Sequence, residues 1–130
     1  MSDVIKLMLQ KNPFVSSGAV TEKQIKEAEN RLGVKFSKDY KEYLSVFGTA
    51  SYYGHELTGI CADDASINVV DVTLAERTCF TNIPDEWYVI EQTHMDGIVI
   101  WQDEKGCLYK ATPKKVEKIC DSLQEYVAAD

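Results

Sequence analysis

Positive charge is nearly missing from the middle of this 130-residue chain. From Glu42 through Glu104 there are twelve Asp and Glu and one base, Arg77, a balance of −11; the remainder holds nine acids and thirteen bases, for a total of −7. A surface of that sign repels phosphate backbones, so nucleic-acid binding through this stretch is not expected, and a basic protein partner is favoured. The same excess of acid also keeps a protein soluble. Long apolar runs are absent as well: none approaches the roughly 20 residues of a membrane span, so no membrane is expected as partner. The opening M-S-D-V-I-K-L-M-L-Q-K-N carries an early acid and no small-residue cleavage pattern after a long apolar core, so a signal peptide is not expected. The four cysteines (Cys61, Cys79, Cys107, Cys120) form no C-x-x-C pair, and there are two histidines. That pattern speaks against zinc and for reduced thiols in a cytoplasmic protein.

Catalytic motifs are lacking too. No G-x-S-x-G elbow surrounds a serine, and neither G-x-x-x-x-G-K-[ST] nor G-x-G-x-x-G occurs. Asp63-Asp64 lacks the alternating oxygen ligands of a calcium loop. The carboxylate pairs Asp63-Asp64, Asp85-Glu86 and Asp103-Glu104 fall in turns, where neighbouring side chains diverge, which suits solvated loop tips better than acid–base catalysis. His55 lies on an extended stretch and His94 beside a turn, and neither shows a nucleophile and an orienting group in a local signature. No enzyme, metal or cofactor is expected.

What is present begins with Thr21–Gly48, which reads as two capped helices. Thr21 with Gln24 makes a capping box, Ile25, Ala28 and Leu32 form one apolar stripe, and Gly33 stops the helix. Ser37 caps the second helix, Asp39 sits in its first turn, and Tyr40, Tyr43, Leu44 and Phe47 form its apolar face before Gly48. Ahead of them, Ser2–Lys11 reads as a helix capped by Ser2 and ended by Asn12-Pro13, and Phe14–Val20 as a linker. Residues 51–60 read as one extended segment, with Tyr53, His55 and Leu57 on one face and Tyr52, Gly54 and Glu56 on the other. An acidic loop around Asp63-Asp64 follows, then a short helix over Val69–Arg77 and a loop over Thr78–Glu86.

Three hairpin-linked strands come next: Trp87–Gln92, Ile98–Gln102 and Cys107–Lys110, with turns at Asp96-Gly97 and Glu104-Lys105-Gly106. Val89, Ile98, Ile100 and Leu108 are the expected core, under helices covering one face. Lys114–Ile119 reads as extended or irregular, and Asp121 caps a last helix with Leu123, Tyr126 and Val127. Helices first, an antiparallel or possibly mixed sheet meander in the middle and a helix last define a single α+β domain, residues 1–130.

The order of these motifs carries a resemblance. I-x-x-x-E-x-x-L-G (Ile25, Glu29, Leu32, Gly33) is followed by D-Y-K-x-Y-L-x-x-x-G (Asp39 to Gly48). Then come a valine pair before T-x-x-x-R (Val69-Val70, Thr73, Arg77), the G-x-x-x-W region and a closing S-L-x-E-Y-V from Ser122 to Val127. This order resembles the SMI1/KNR4 (SUKH) superfamily, from Thr21 onward; the family's usual proline in the helix linker is replaced by Ser37. The resemblance implies a small α+β domain. It also implies an immunity protein of the bacterial type, which binds and neutralises a cognate toxin, often a nuclease or deaminase. The fungal members imply the alternative of a regulatory interaction domain, and His55 leaves open a small-molecule-binding domain.

For binding, the acidic middle is rich in rings: Tyr52, Tyr53, His55, Trp87, Tyr88 and Trp101. Tyr and Trp dominate protein interfaces because they give large contact area for little lost side-chain freedom. The residues expected on the partner-binding surface are Tyr52, Tyr53, His55, Glu56, Asp63, Asp64, Asp85 and Glu86. The expected partner is a cationic toxin, met as a monomer or weak homodimer.

Overall fold

The computed structural model describes residues 3–129, so the Ser2 cap lies outside the described residues. Helix α1 spans Asp3–Leu9, α2 Glu22–Leu32, α3 Lys38–Phe47, α4 Val69–Cys79 and α5 Leu123–Ala128. Strands β1 (Phe14–Ser16), β2 (Ala50–Tyr52), β3 (His55–Leu57), β4 (Tyr88–Gln92), β5 (Val99–Gln102), β6 (Leu108–Thr112) and β7 (Lys115–Cys120) form one sheet. Its spatial order is β1 to β7 in sequence, every neighbouring pair antiparallel, which is the α+β meander expected.

The two organising helices close as their residues dictate. Thr21 Oγ1 accepts from Gln24 N–H at 3.2 Å while the Gln24 side chain accepts from Thr21 N–H at 2.8 Å. Gly33 takes the left-handed conformation that ends α2, and Ser37 caps α3. Several expectations needed correction. Phe14–Ser16 is not linker but the edge strand β1, paired with β2. Residues 51–60 are not one segment: Tyr53 and Gly54, both at positive φ, turn the chain back as a two-residue hairpin. The turn reverses the facing, so Tyr52 and His55 are cross-strand partners on the same face, with Ser51 and Glu56 paired beside them. Lys115–Cys120 is extended, as one of its two readings had it, and pairs with β6 across a register shift; α5 is capped by Ser122, whose hydroxyl accepts from Glu125 N–H, rather than by Asp121.

The sheet is covered on both sides, not one. Tyr88, Ile90, Ile100 and Leu108 join residues of α1, α2, α3 and α5 in the larger core. Val89, Val99, Trp101 and Ala111 point to the other face, where Val72 of α4 and Phe80 close a second, smaller core. Of the four expected core residues, Val89 therefore lies opposite Ile100 and Leu108, and Ile98 is only half-buried. Val89 pairs with Trp101, which alternation sets on the face away from Ile100; the β-bulge after Val89 then brings Glu91 opposite Ile100.

The motif residues turn out to be ties between elements. Glu29, 8% exposed, accepts from Phe36 N–H at 2.8 Å and so fixes the α2–α3 connection. Asp39 accepts from Ser37 Oγ at 2.6 Å and from Leu123 N–H at 2.7 Å, which joins the start of α3 to the start of α5. Tyr88 Oη accepts from Ser37 N–H and donates to Gln102 Oε1, each at 2.8 Å. Thr73 Oγ1 accepts the Val89 N–H at 3.0 Å, and Thr58 takes the neighbouring Val89 and Ile90 carbonyls, so the rim of β4 beyond short β3 is satisfied. Arg77 is half-buried, and its Nη2 donates to the carbonyls of Leu32 and Asp85 at 3.1 and 2.7 Å. Removing one such tie leaves a buried polar group unpaired. Glu29→Ala is expected to cost about 1–3 kcal/mol, read as a lower urea midpoint with an unchanged slope.

Candidate binding surface

The aromatic hairpin is positioned by its turn. Tyr53 occupies the first turn position at φ 47, and its ring is 54% exposed. Its hydroxyl accepts from Asn12 N–H at 3.3 Å, and the Lys11 ammonium lies 5.3 Å from the Tyr53 ring centre and 5.4 Å from that of Tyr52. Tyr52 is 2% exposed, so the expectation that its ring belongs to a contact surface is corrected: it packs in the larger core. Tyr88 and Trp101 are likewise buried, which leaves Tyr53 exposed and His55 and Trp87 half-buried.

His55 is held by a carboxylate. Its Nδ1 is 3.0 and 3.1 Å from the two oxygens of Glu91, a side chain that also accepts from the Tyr126 hydroxyl at 2.5 Å and from Glu56 N–H at 3.1 Å. Glu91 is 4% exposed and sits where β3, β4 and α5 meet, so these donors compensate its loss of water. The dyad has the form of a base with its orienting group. However, no serine, threonine or cysteine among the described residues is hydrogen-bonded to the His55 ring. Among the described residues no three of His, Cys, Asp and Glu stand together as metal ligands. The cluster is a junction of three elements.

The acidic candidates are dispersed. Asp63 and Asp64 are exposed on the β3–α4 connection, where Asp64 Oδ1 accepts from the backbone and hydroxyl of Ser66 at 3.0 and 2.5 Å. Asp85 and Glu86 are exposed just ahead of β4, and Arg77 fixes the Asp85 carbonyl. Glu86 and Glu104 border a groove of about 920 Å³ whose other lining includes Lys26, Lys35, Lys38 and Lys41 of the α2–α3 region. Glu56 is exposed on the hairpin, on the side away from Tyr52. No contact joins the hairpin, Asp63-Asp64 and Asp85-Glu86 into one cluster. Within the described residues none of these five acids forms an ion pair, so their charges face solvent uncompensated by a direct partner.

A feature beyond the expected set lies beside Asp85-Glu86. Trp87 stacks on Tyr109 with ring centres 3.8 Å apart and planes 17° from parallel. Trp87 was visible as an aromatic in the acidic stretch; its partner was not, because only the β4–β5–β6 register brings the two together.

A sequential antiparallel sheet with helices on both sides is an α+β domain in form. The particular family follows from comparison. The chain matches the SUKH_5 family, described as SMI1-KNR4 cell-wall, over residues 1–129, and belongs to it. A comparison with curated proteins gave no match. Among the described residues no helix is long and apolar enough to cross a membrane.

Proposed function

We propose that this chain is an immunity-type protein that works by binding: it neutralises a cognate protein toxin with a basic surface, such as a nuclease or a deaminase. The observation that carries this reading is the set of exposed acids on the 42–104 stretch, Glu56, Asp63, Asp64, Asp85 and Glu86, none of them ion-paired among the described residues. A toxin that acts on nucleic acid needs a cationic cleft, and opposite potentials accelerate encounter and select the partner more than they deepen affinity. Membership of the SMI1-KNR4 family agrees with a domain that acts by contact. No covalent step and no cofactor is part of the reading.

The test is protection. A nuclease or deaminase toxin domain, taken from a secreted-protein gene that adjoins the gene of this chain, is expressed in a susceptible host with and without this chain. Rescue of growth is expected, and growth arrest that the chain fails to relieve would sink the reading. Reversing Asp63, Asp64, Asp85 and Glu86 to lysine together is expected to slow association about ten- to a hundredfold at low salt and to flatten its salt dependence. Stopped-flow measurement across ionic strength checks this, and an unchanged rate would remove the electrostatic part.

A further inference from the structure

The acids lie on several connections, and one place couples them to a rigid apolar platform. By register, Val89, Trp101, Tyr109 and Lys118 follow one another across β4 to β7 on the face of the smaller core. Helix α4 packs against β4, and Val72 and Phe80 cover Trp101 and Ala111. Trp87 and Tyr109, both half-buried and stacked, lie at the margin of that core with Val116 and Ile83.

The pair is fixed before any partner arrives. Tyr109 Oη donates to Asp103 Oδ2 at 2.8 Å, and Asp103 Oδ1 accepts from Lys105 N–H and Cys107 N–H, each at 3.0 Å. Stacked rings held in this way lose little freedom on binding. Two acids flank the stack: Asp85 lies two residues ahead of Trp87 and is exposed, and Asp103 follows the Gln102 that pairs with Tyr88, while Glu86 and Glu104 border the lysine-lined groove of the α2–α3 region. The nearby base Lys118 is already paired with Asp121 at 2.5 Å. Partial burial and then the Asp103 carboxylate push the Tyr109 phenol up to about 12.

We propose that the Trp87–Tyr109 pair is the central anchor for the basic protein partner, with an arginine of that partner laid on the exposed part of the stack and paired to Asp85. This rests on the preceding reading of the chain as a binder of a basic protein. It assigns the centre of contact to the end of the sheet, not to the Tyr52–His55 hairpin, where Tyr52 is buried and Lys11 already lies over both tyrosines. Trp is the best ring for a cation–π contact and Arg the commonest cation in one, and Trp, Tyr and Arg are the residues enriched at interface hot spots.

The test uses a fluorescein-labelled oligo-arginine peptide, with oligo-glutamate as control, titrated against the full chain. Of the two tryptophans, Trp101 is fully buried, so a change in indole emission on binding reports Trp87. Expected are a change with oligo-arginine alone and an affinity about tenfold weaker for Trp87→Ala. The double change Asp85→Lys with Glu86→Lys alters exposed side chains, so its folding is not at risk; it is expected to weaken binding at least as much. Asp63→Lys with Asp64→Lys is expected to change affinity less than twofold. Oligo-arginine binding without a change in emission, or binding that survives Asp85→Lys/Glu86→Lys and fails in Asp63→Lys/Asp64→Lys, overturns the assignment. Either result leaves the protection experiment untouched, whereas failed protection with intact peptide binding at Trp87 overturns the toxin reading alone.

Discussion

Gly59→Ala is expected to abolish stable folding, or to cost about 3 kcal/mol or more where folded protein is recovered. A Cβ at Gly59 would stand 1.6 Å from the Gly48 carbonyl oxygen and 2.6 Å from its carbon. Rotamer changes relieve contacts with flexible side chains, but here the obstacle is backbone already committed elsewhere. The Gly48 carbonyl accepts from Ile60 N–H at 3.1 Å, and Gly59 itself donates to Ile67 and accepts from Val69 at 2.9 and 2.7 Å. Gly48 in turn lies against Gly18, whose oxygen would be 2.3 Å from a Cβ at Gly48. Three chain segments thus pile up backbone on backbone where α3 ends, beside β1 and the exit of β3. Denaturant unfolding of Gly59→Ala beside the parent chain measures the effect; a midpoint within error of the parent would show that this stack is not as tight as drawn.

That stack illustrates what the sequence did and did not disclose. Gly48 was legible as the end of a helix, because capping is a local event. Its contact with Gly59 depends on how α3 and β3 are laid side by side, which no local pattern encodes. The same division holds elsewhere. Thr21 with Gln24, Ser37 and the apolar stripes of α2 and α3 are consequences of helical periodicity, and the β4–β5–β6 meander follows from apolar runs joined by turns. β1 is three residues long, and only the partner strand β2 makes it extended. The hairpin was missed because tyrosine at positive φ is unusual, so Tyr53-Gly54 did not announce a turn. Facing in β4 was unreadable because a bulge interrupts alternation.

The candidate site was legible in charge and not in geometry. Composition marked residues 42–104 as acidic, and Asp63, Asp64, Asp85 and Glu86 are indeed exposed. Burial separated Tyr52 from Tyr53, neighbours that sequence treats alike. The motif residues Glu29, Asp39, Thr73 and Arg77 hold elements together through backbone hydrogen bonds, so the family signature describes how the domain is built.

Raising pH is expected to unfold the chain steeply above pH 10, through three tyrosines. Burial pushes the phenols of Tyr40, Tyr43 and Tyr88 well above their ordinary value of 10.0, against hydrogen bonds that act in the other direction. All three rings are fully buried in the larger core. Their hydroxyls are committed: Tyr43 donates to the Thr58 carbonyl at 2.7 Å, Tyr88 to Gln102, and Tyr40 lies 3.0 Å from the Thr58 hydroxyl. In the unfolded chain each phenol loses its proton near pH 10, while in the folded chain it keeps it. Above pH 10 the unfolded state therefore binds fewer protons, and stability falls as pH rises; below pH 10 the contribution is fully present. Each group contributes about 1.4 kcal/mol per pH unit, so the three together remove about 4 kcal/mol between pH 10 and 11. A stability of the usual 5–15 kcal/mol is largely consumed within one to three units. Phenolate absorbance followed with far-ultraviolet circular dichroism checks this. The three core tyrosines should ionise together in one step that coincides with the loss of helix. Smooth ionisation of all seven tyrosines while the helices persist would mean that the aromatic core admits water.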